Sequence, residues 1–255
     1  MSGRHRPAPA PTRDAAPSTA TERRPYLRTR RVLAELLGTF ALTLVAAGGP
    51  VIAAASGVSV GLAALVVAPG LLVMALIYTL GPLSGTHFNP AVTLAFTLRA
   101  NFPWRRLPGY WLAQLLGAVL AALLLRGLFG PVGHLGATLP RHGTRAPLAM
   151  ETVLTFLLIT VILATATNHQ SIGHNAALAV GGTIALDGLF AAPISGASMN
   201  PARSFGPALV GGYLDTYWIY VVGPLAGAVL AVGMAWLLRG GPSPRAVEAA
   251  QGEDG

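Results

Sequence analysis

Apolar residues gather into six long runs, near 32–54, 59–80, 108–129, 149–168, 173–193 and 216–238. Each is about 20 residues long, the length of helix that crosses a hydrocarbon core of about 30 Å. The pattern therefore predicts six membrane-spanning helices. Two polar phrases interrupt it, between the second and third runs and between the fifth and sixth: Ser84-Gly85-Thr86-His87-Phe88-Asn89-Pro90-Ala91 and Ser195-Gly196-Ala197-Ser198-Met199-Asn200-Pro201-Ala202. Asn is a preferred helix N-cap and Pro a preferred first helical residue, so each phrase reads as a loop turning into a helix. The apolar runs that follow, Val92 to Leu98 and Ser204 to Val210, give roughly ten residues of helix each, half of a span. Two half-helices entering from opposite faces would together make one more crossing, and a polar helix start inside a bilayer marks a path for something.

The duplication extends beyond those phrases. Ala34-Glu35-Leu36-Leu37-Gly38-Thr39-Phe40 opens the first run and Met150-Glu151-Thr152-Val153-Leu154-Thr155-Phe156 the fourth. Gly117-Ala118-Val119-Leu120-Ala121 in the third run returns as Gly227-Ala228-Val229-Leu230-Ala231 in the sixth. Paired landmarks in the same order mark an internal repeat. With three spans per half, the second copy enters from the opposite side, so the expected fold is an all-α membrane protein of six transmembrane helices and two re-entrant half-helices in an inverted 3+3 repeat. The expected layout is a disordered tail at 1–31, a membrane domain at 32–238 with repeats at about 32–129 and 149–238, and a second tail at 239–255.

Composition agrees with the pattern: 53% of the 255 residues are hydrophobic and 10% charged, and the mean hydropathy is +0.59. The net charge of +8 comes from 17 Arg and no Lys, eight of them within the first 31 residues. Such clustering reports topology rather than nucleic-acid binding. The amino-terminal tail, the segment Arg99 to Arg106 and Arg239 with Arg245 fall on one side, against Arg126, Arg141 and Arg145 on the other. The positive-inside rule then places both termini in the cytoplasm of a multi-pass plasma-membrane protein. A signal peptide is the competing reading of the amino terminus, but the run from Val32 to Ala55 is longer than a 7–15-residue signal core. The absence of Cys excludes disulfides, thiolate metal sites and thiol catalysis. Arg-only, Ala-rich usage suggests a prokaryotic source.

Two helix N-termini meeting at the membrane midplane present unpaired N–H groups and the positive ends of two dipoles, about half a charge each. Such a site repels cations. The amides of Asn89 and Asn200 can cap their own helices and still offer an N–H to a passing oxygen. A water accepting from both turns its hydrogens outward along the pore and breaks a continuous proton wire. Arg203 adds donors without an acceptor, either to replace the hydration of a neutral solute or to tie down a connecting loop through its carbonyls. Glu35 and Glu151 occupy equivalent places in the repeat, which favours a structural role, accepting hydrogen bonds from the backbone ahead of each half-helix. Asp187 has no acidic counterpart in the first half and either lines a pore or bonds to a neighbouring helix. His87 and His174 lack Cys or clustered carboxylate partners, so packing or loop bonding is expected of them and no metal. Gly38, Gly117, Gly181, Gly182 and Gly227 suit close helix crossings.

These signatures resemble the aquaporin, or major intrinsic protein, family. The matching residues are Ala34-Glu35, Gly38-Thr39-Phe40, Ser84-Gly85, His87, Asn89-Pro90-Ala91-Val92-Thr93 and Ser195-Gly196, then Asn200-Pro201-Ala202-Arg203-Ser204 and Gly206-Pro207. The resemblance covers about residues 32–238. It implies a right-handed bundle, usually a homotetramer with one pore per subunit, embedded in membrane lipid; no cofactor is expected, and no enzyme, because the spans show no set of nucleophile, base and orienting group. It also implies a four-position selectivity filter, which counting from the motifs places at Pro69, Gly188, Ala197 and Arg203. Orthodox water channels tend to carry a large aromatic at the first position and His at the second. Pro and Gly there imply a wider constriction, unless a side chain such as Phe190 swings in. Ser204 and Ala208 depart from the glycerol-facilitator pattern, Tyr220 looks like the water-channel class, and Val221 departs from its usual Trp. The combination is most similar to the nodulin-26-like branch and its bacterial relatives, which implies passage of water with small neutral polyols, urea or metalloid acids. A strict water channel is one alternative. An ion-coupled secondary transporter, with Asp187 as its carboxylate, is the other.

Overall fold

Gly and Pro cut the apolar sequence into helices because one lacks helix propensity and the other lacks an N–H. The computed structural model describes residues 20–141, 143–165 and 170–252. Among them run α1 (Ala20–Ser56), α2 (Leu62–Ser84), α3 (Pro90–Leu98), α4 (Leu107–Phe129) and α5 (Arg145–Thr165). Then follow α6 (Gln170–Ser195), α7 (Pro201–Gly211), α8 (Ile219–Arg239) and α9 (Pro244–Gln251). The described residues form no strand. Six of these helices, α1, α2, α4, α5, α6 and α8, are long and apolar enough to cross a membrane. The bundle's outer face carries Leu112, Leu128, Leu237 and Leu238, each 65–79% exposed. A contiguous apolar exterior of that kind is matched to lipid rather than to water.

Element ends depart from the apolar runs where helix continues into polar sequence. α1 begins at Ala20, inside the segment expected to be an unordered tail, because Glu and Arg are good helix formers and need no apolar pattern. Residues 1–19 of that tail lie outside the described residues. At the other end, residues expected as a tail form α9, capped by Ser243, whose hydroxyl accepts from the Ala246 N–H.

The repeat is carried by the packing. α4 lies on α1 as α8 lies on α5. A Cβ added to Gly117 would lie 2.3 Å from the Leu36 carbonyl oxygen, and one added to Gly227 would lie 2.4 Å from that of Thr152. α2 and α6 cross at Gly70 and Gly181, each of which has the other's carbonyl oxygen 2.5 Å from its missing Cβ. Gly182, expected at such a crossing, instead faces open space. It follows Gly181 by one position, and a step of about 100° around a helix turns it away from α2. The half-helices interdigitate: α7 packs on α4 and α3 on α8, so each lies against the last long helix of the other repeat.

Candidate functional site

The two polar phrases take the same backbone path. Gly85, Thr86 and Phe88 have φ of +81°, +49° and +49°, and Gly196, Ala197 and Met199 have φ of +87°, +46° and +54°. A non-Gly residue in the left-handed region costs of order 1–3 kcal/mol, so something must hold these loops. In the first, Glu35 does so. Its Oε1 accepts from Ser84 Oγ at 2.7 Å and the His87 N–H at 2.9 Å, and its Oε2 from the Phe88 N–H and Gln114 Nε2, both at 2.7 Å. In the second, Glu151 Oε1 accepts from Ser195 Oγ at 2.7 Å and the Ser198 N–H at 2.8 Å, and Oε2 from the Met199 N–H at 2.7 Å. Both carboxylates are fully buried. Hydrogen bonds to an ionised acceptor are roughly twice as strong as neutral ones, which offsets the backbone strain.

Each loop ends on an Asn that caps the helix after it. Asn89 Oδ1 accepts from the Ala91 N–H at 2.9 Å, and Asn200 Oδ1 from the Ala202 and Arg203 N–H groups at 3.0 and 3.2 Å. The amide nitrogens reach across. Asn89 Nδ2 donates to the Met199 carbonyl at 2.7 Å and Asn200 Nδ2 to the Phe88 carbonyl at 2.8 Å. A carboxamide carries two N–H donors, and one on each Asn is engaged this way, leaving the second for whatever occupies the space between them. Pro90, Ala91, Pro201 and Ala202 are buried behind the pair as the first turns of α3 and α7.

That space is a cavity of about 900 Å³. It follows α2 from Leu62 to Pro82, a distance of about 30 Å at 1.5 Å per residue. Asn89 and Asn200 border it, as do all four expected filter positions, Pro69, Gly188, Ala197 and Arg203. Arg203 is 9% exposed and donates from Nη1 to the Gly136 carbonyl and from Nη2 to the Ala46 carbonyl, both at 3.0 Å. Two of its five N–H groups are thus fixed, holding the connection near Gly136 and aiming the guanidinium.

Other residues fall away from the cavity. Asp187 is 1% exposed, does not border it, and leaves Oδ2 without a hydrogen-bond partner. Phe190 is half exposed and likewise absent from the wall, so it does not narrow the constriction. His87 does border it, and its Nε2 donates to the Ala250 carbonyl of α9 at 2.9 Å, with Nδ1 3.1 Å from Thr93 Oγ1. The side chain of His174 lies outside the described residues.

Sequence reasoning missed two parts of this wall. Val66 borders the cavity one turn before Pro69, and the helical spacing of three residues was the signal that could have found it. Arg245, Glu248 and Ala249 of α9 also border it. Ser243-Pro244 was a readable helix start, but nothing local says where that helix docks.

Half-helices meeting tip to tip inside a cavity that runs the depth of a lipid-facing bundle define a membrane channel. Residues 22–235 match the major intrinsic protein family, and the chain belongs to it. It is 46% identical over 211 residues to aquaporin NIP1-1 of Zea mays, covering 82% of this chain and 75% of that protein. Aquaporin NIP1-4 of Oryza sativa subsp. japonica is 48% identical over 212 residues, 82% and 76% of the two chains. The putative aquaporin NIP4-1 of Arabidopsis thaliana is 42% identical over 203 residues, 79% and 71%. Among solved structures, the aquaglyceroporin from Plasmodium falciparum superposes with a TM-score of 0.73 at 25% identity, covering 82% of this chain and 95% of that one. The plant origin of these curated relatives overturns the expected prokaryotic source and membrane. Arg and Ala usage is a compositional bias that the fold does not require, and it does not by itself identify a source.

Proposed function

We propose that the chain conducts water and small uncharged solutes passively through this cavity, excluding protons and other cations. The observation that carries the reading is the pair of crossed Asn amides at the abutting helix N-termini, where Asn89 and Asn200 each keep a donor for the pore. The positive ends of α3 and α7 and the charge of Arg203 raise the barrier to cations. Pro69, Gly188, Ala197 and Arg203 serve as the filter, and Glu35 and Glu151 as the buried acids that hold the two loops. Small residues at 69, 188 and 197 suit glycerol, urea or metalloid acids in addition to water. The channel domain takes in residues 32–238, with repeats at about 32–129 and 149–238, and four copies assemble as a homotetramer with one pore each. No step is catalytic. Asp187, the carboxylate an ion-coupled transporter would use, lies off the cavity wall.

The test is stopped-flow light scattering on purified protein in liposomes. Fast shrinkage in an impermeant osmolyte, followed by re-swelling in glycerol or urea gradients, supports the reading. Shrinkage no faster than in empty liposomes would sink it.

A further inference from the structure

Gly188 contributes no side chain to the cavity wall, yet the space beside it is not open. A Cβ built on Gly188 would lie 2.6 Å from Val66 Cβ, 3.1 Å from Cγ1 and 3.3 Å from Cγ2. Real Cβ atoms do not approach that closely. The isopropyl group of Val66 therefore occupies the volume into which residue 188 would otherwise project. Val66 precedes Pro69 by three residues, which puts both on one face of α2, and both border the cavity with Gly188 and Arg203.

We propose that Val66 is a specificity-determining residue of this channel, setting the width and the apolar character of the wall that Gly188 leaves bare. The inference rests on the reading of the cavity as the solute path. A β-branched side chain in a helix holds one χ1 rotamer about nine times in ten, so the two methyl groups form a fixed wall rather than a flexible gate. They offer no hydrogen bond, whereas Arg203 retains N–H groups beyond the two bound to Gly136 and Ala46. A solute with C–H on one side and O–H or N–H on the other is satisfied by that combination. The geometry also couples the two positions: a side chain at 188 is compatible with the wall only when the one at 66 is removed to its Cα.

Wild type, Val66→Ala, Val66→Phe and the exchange Val66→Gly with Gly188→Val are compared in liposomes by light scattering for water, urea, glycerol, erythritol and xylitol. Val66→Ala removes two methyl groups and is expected to raise erythritol or xylitol flux relative to water by about tenfold or more, since a single methylene is worth about tenfold or more in an apolar pocket. Val66→Phe should lower glycerol relative to water by a similar factor, and the exchange should return the wild-type order. Val66→Thr, nearly the size of Val, reads the apolar character alone and guards against misfolding of the larger changes; a loss of polyol preference is its expected effect. Identical solute ratios in every variant that conducts water would overturn the proposal and leave the channel reading intact. A wild type that passes neither water nor solute overturns both.

Discussion

A single carboxylate decides whether each re-entrant loop can exist. Glu35 accepts four hydrogen bonds, two of them from the backbone N–H groups of His87 and Phe88, and Phe88 lies in the left-handed region. Replacing it by Gln sets an amide N–H against those donors, and an unsatisfied buried donor costs about 1–3 kcal/mol. Glu35→Gln and Glu151→Gln are each expected to lower the unfolding temperature in detergent, with a smaller loss of water flux per folded molecule. Equal stability to wild type in both would show that the loops are held by something else. Arg203 is expected to act differently, because its two carbonyl contacts leave donors facing the cavity. Arg203→Ala should let protons leak, read as dissipation of a pH gradient by an entrapped dye, while water still passes. At this scale the sequence was unusually readable. Asn89, Asn200, Glu35, Glu151 and Arg203 all sit in phrases whose chemistry is local, a cap, a first turn, an acid ahead of a loop. For Val66 the spacing from Pro69 could have pointed to the cavity wall, but its effect was not readable, because that depends on which residue of α6 it faces.

Helix crossings turn on single hydrogen atoms. Gly117 and Gly227 bring α4 onto α1 and α8 onto α5 with carbonyl oxygens where a Cβ would stand. Gly117→Val and Gly227→Val are expected to destabilise by about 1–3 kcal/mol through overpacking, a matched pair that reports the repeat as an energetic and not only a geometric symmetry. Gly182→Ala, facing open space, should be neutral or slightly stabilising, since Gly is the poorer helix former by about 1 kcal/mol. Thermal unfolding in the same detergent ranks all three. Apolar run length located the long helices to within a few residues, apart from the start of α1, but it could not say which Gly faces a neighbour. That follows from helix phase, and an error of one position moves a residue about 100° around the axis. The same blindness hid the early start of α1 and the existence of α9, both built from residues with helix propensity but no membrane signal.

In the molecule as a whole, one end of the cavity is bordered by α9. His87 donates to Ala250, Arg106 Nη1 to Gln251 Oε1 and Gln251 Nε2 to the Asn101 carbonyl, so α9 is tied to the loops on either side of α3. Hydropathy describes such a segment only as polar, and its docking is a tertiary fact. With no Cys anywhere in the chain, a mercurial reagent is expected to leave water flux in liposomes unchanged; inhibition would reveal another reactive group in the path. The crossed amides carry a further implication for how the chain is made. Asn89 donates to a carbonyl 110 residues further on, and Phe88 accepts from an Asn 112 residues away. While the second half is still being synthesised, the first loop has Glu35 but lacks the Met199 carbonyl and the Asn200 amide, and α3 has no α8 to lie against. The first half thus leaves the ribosome as an unfinished object, and its re-entrant segment gains its full set of contacts only once the last long helix has been inserted.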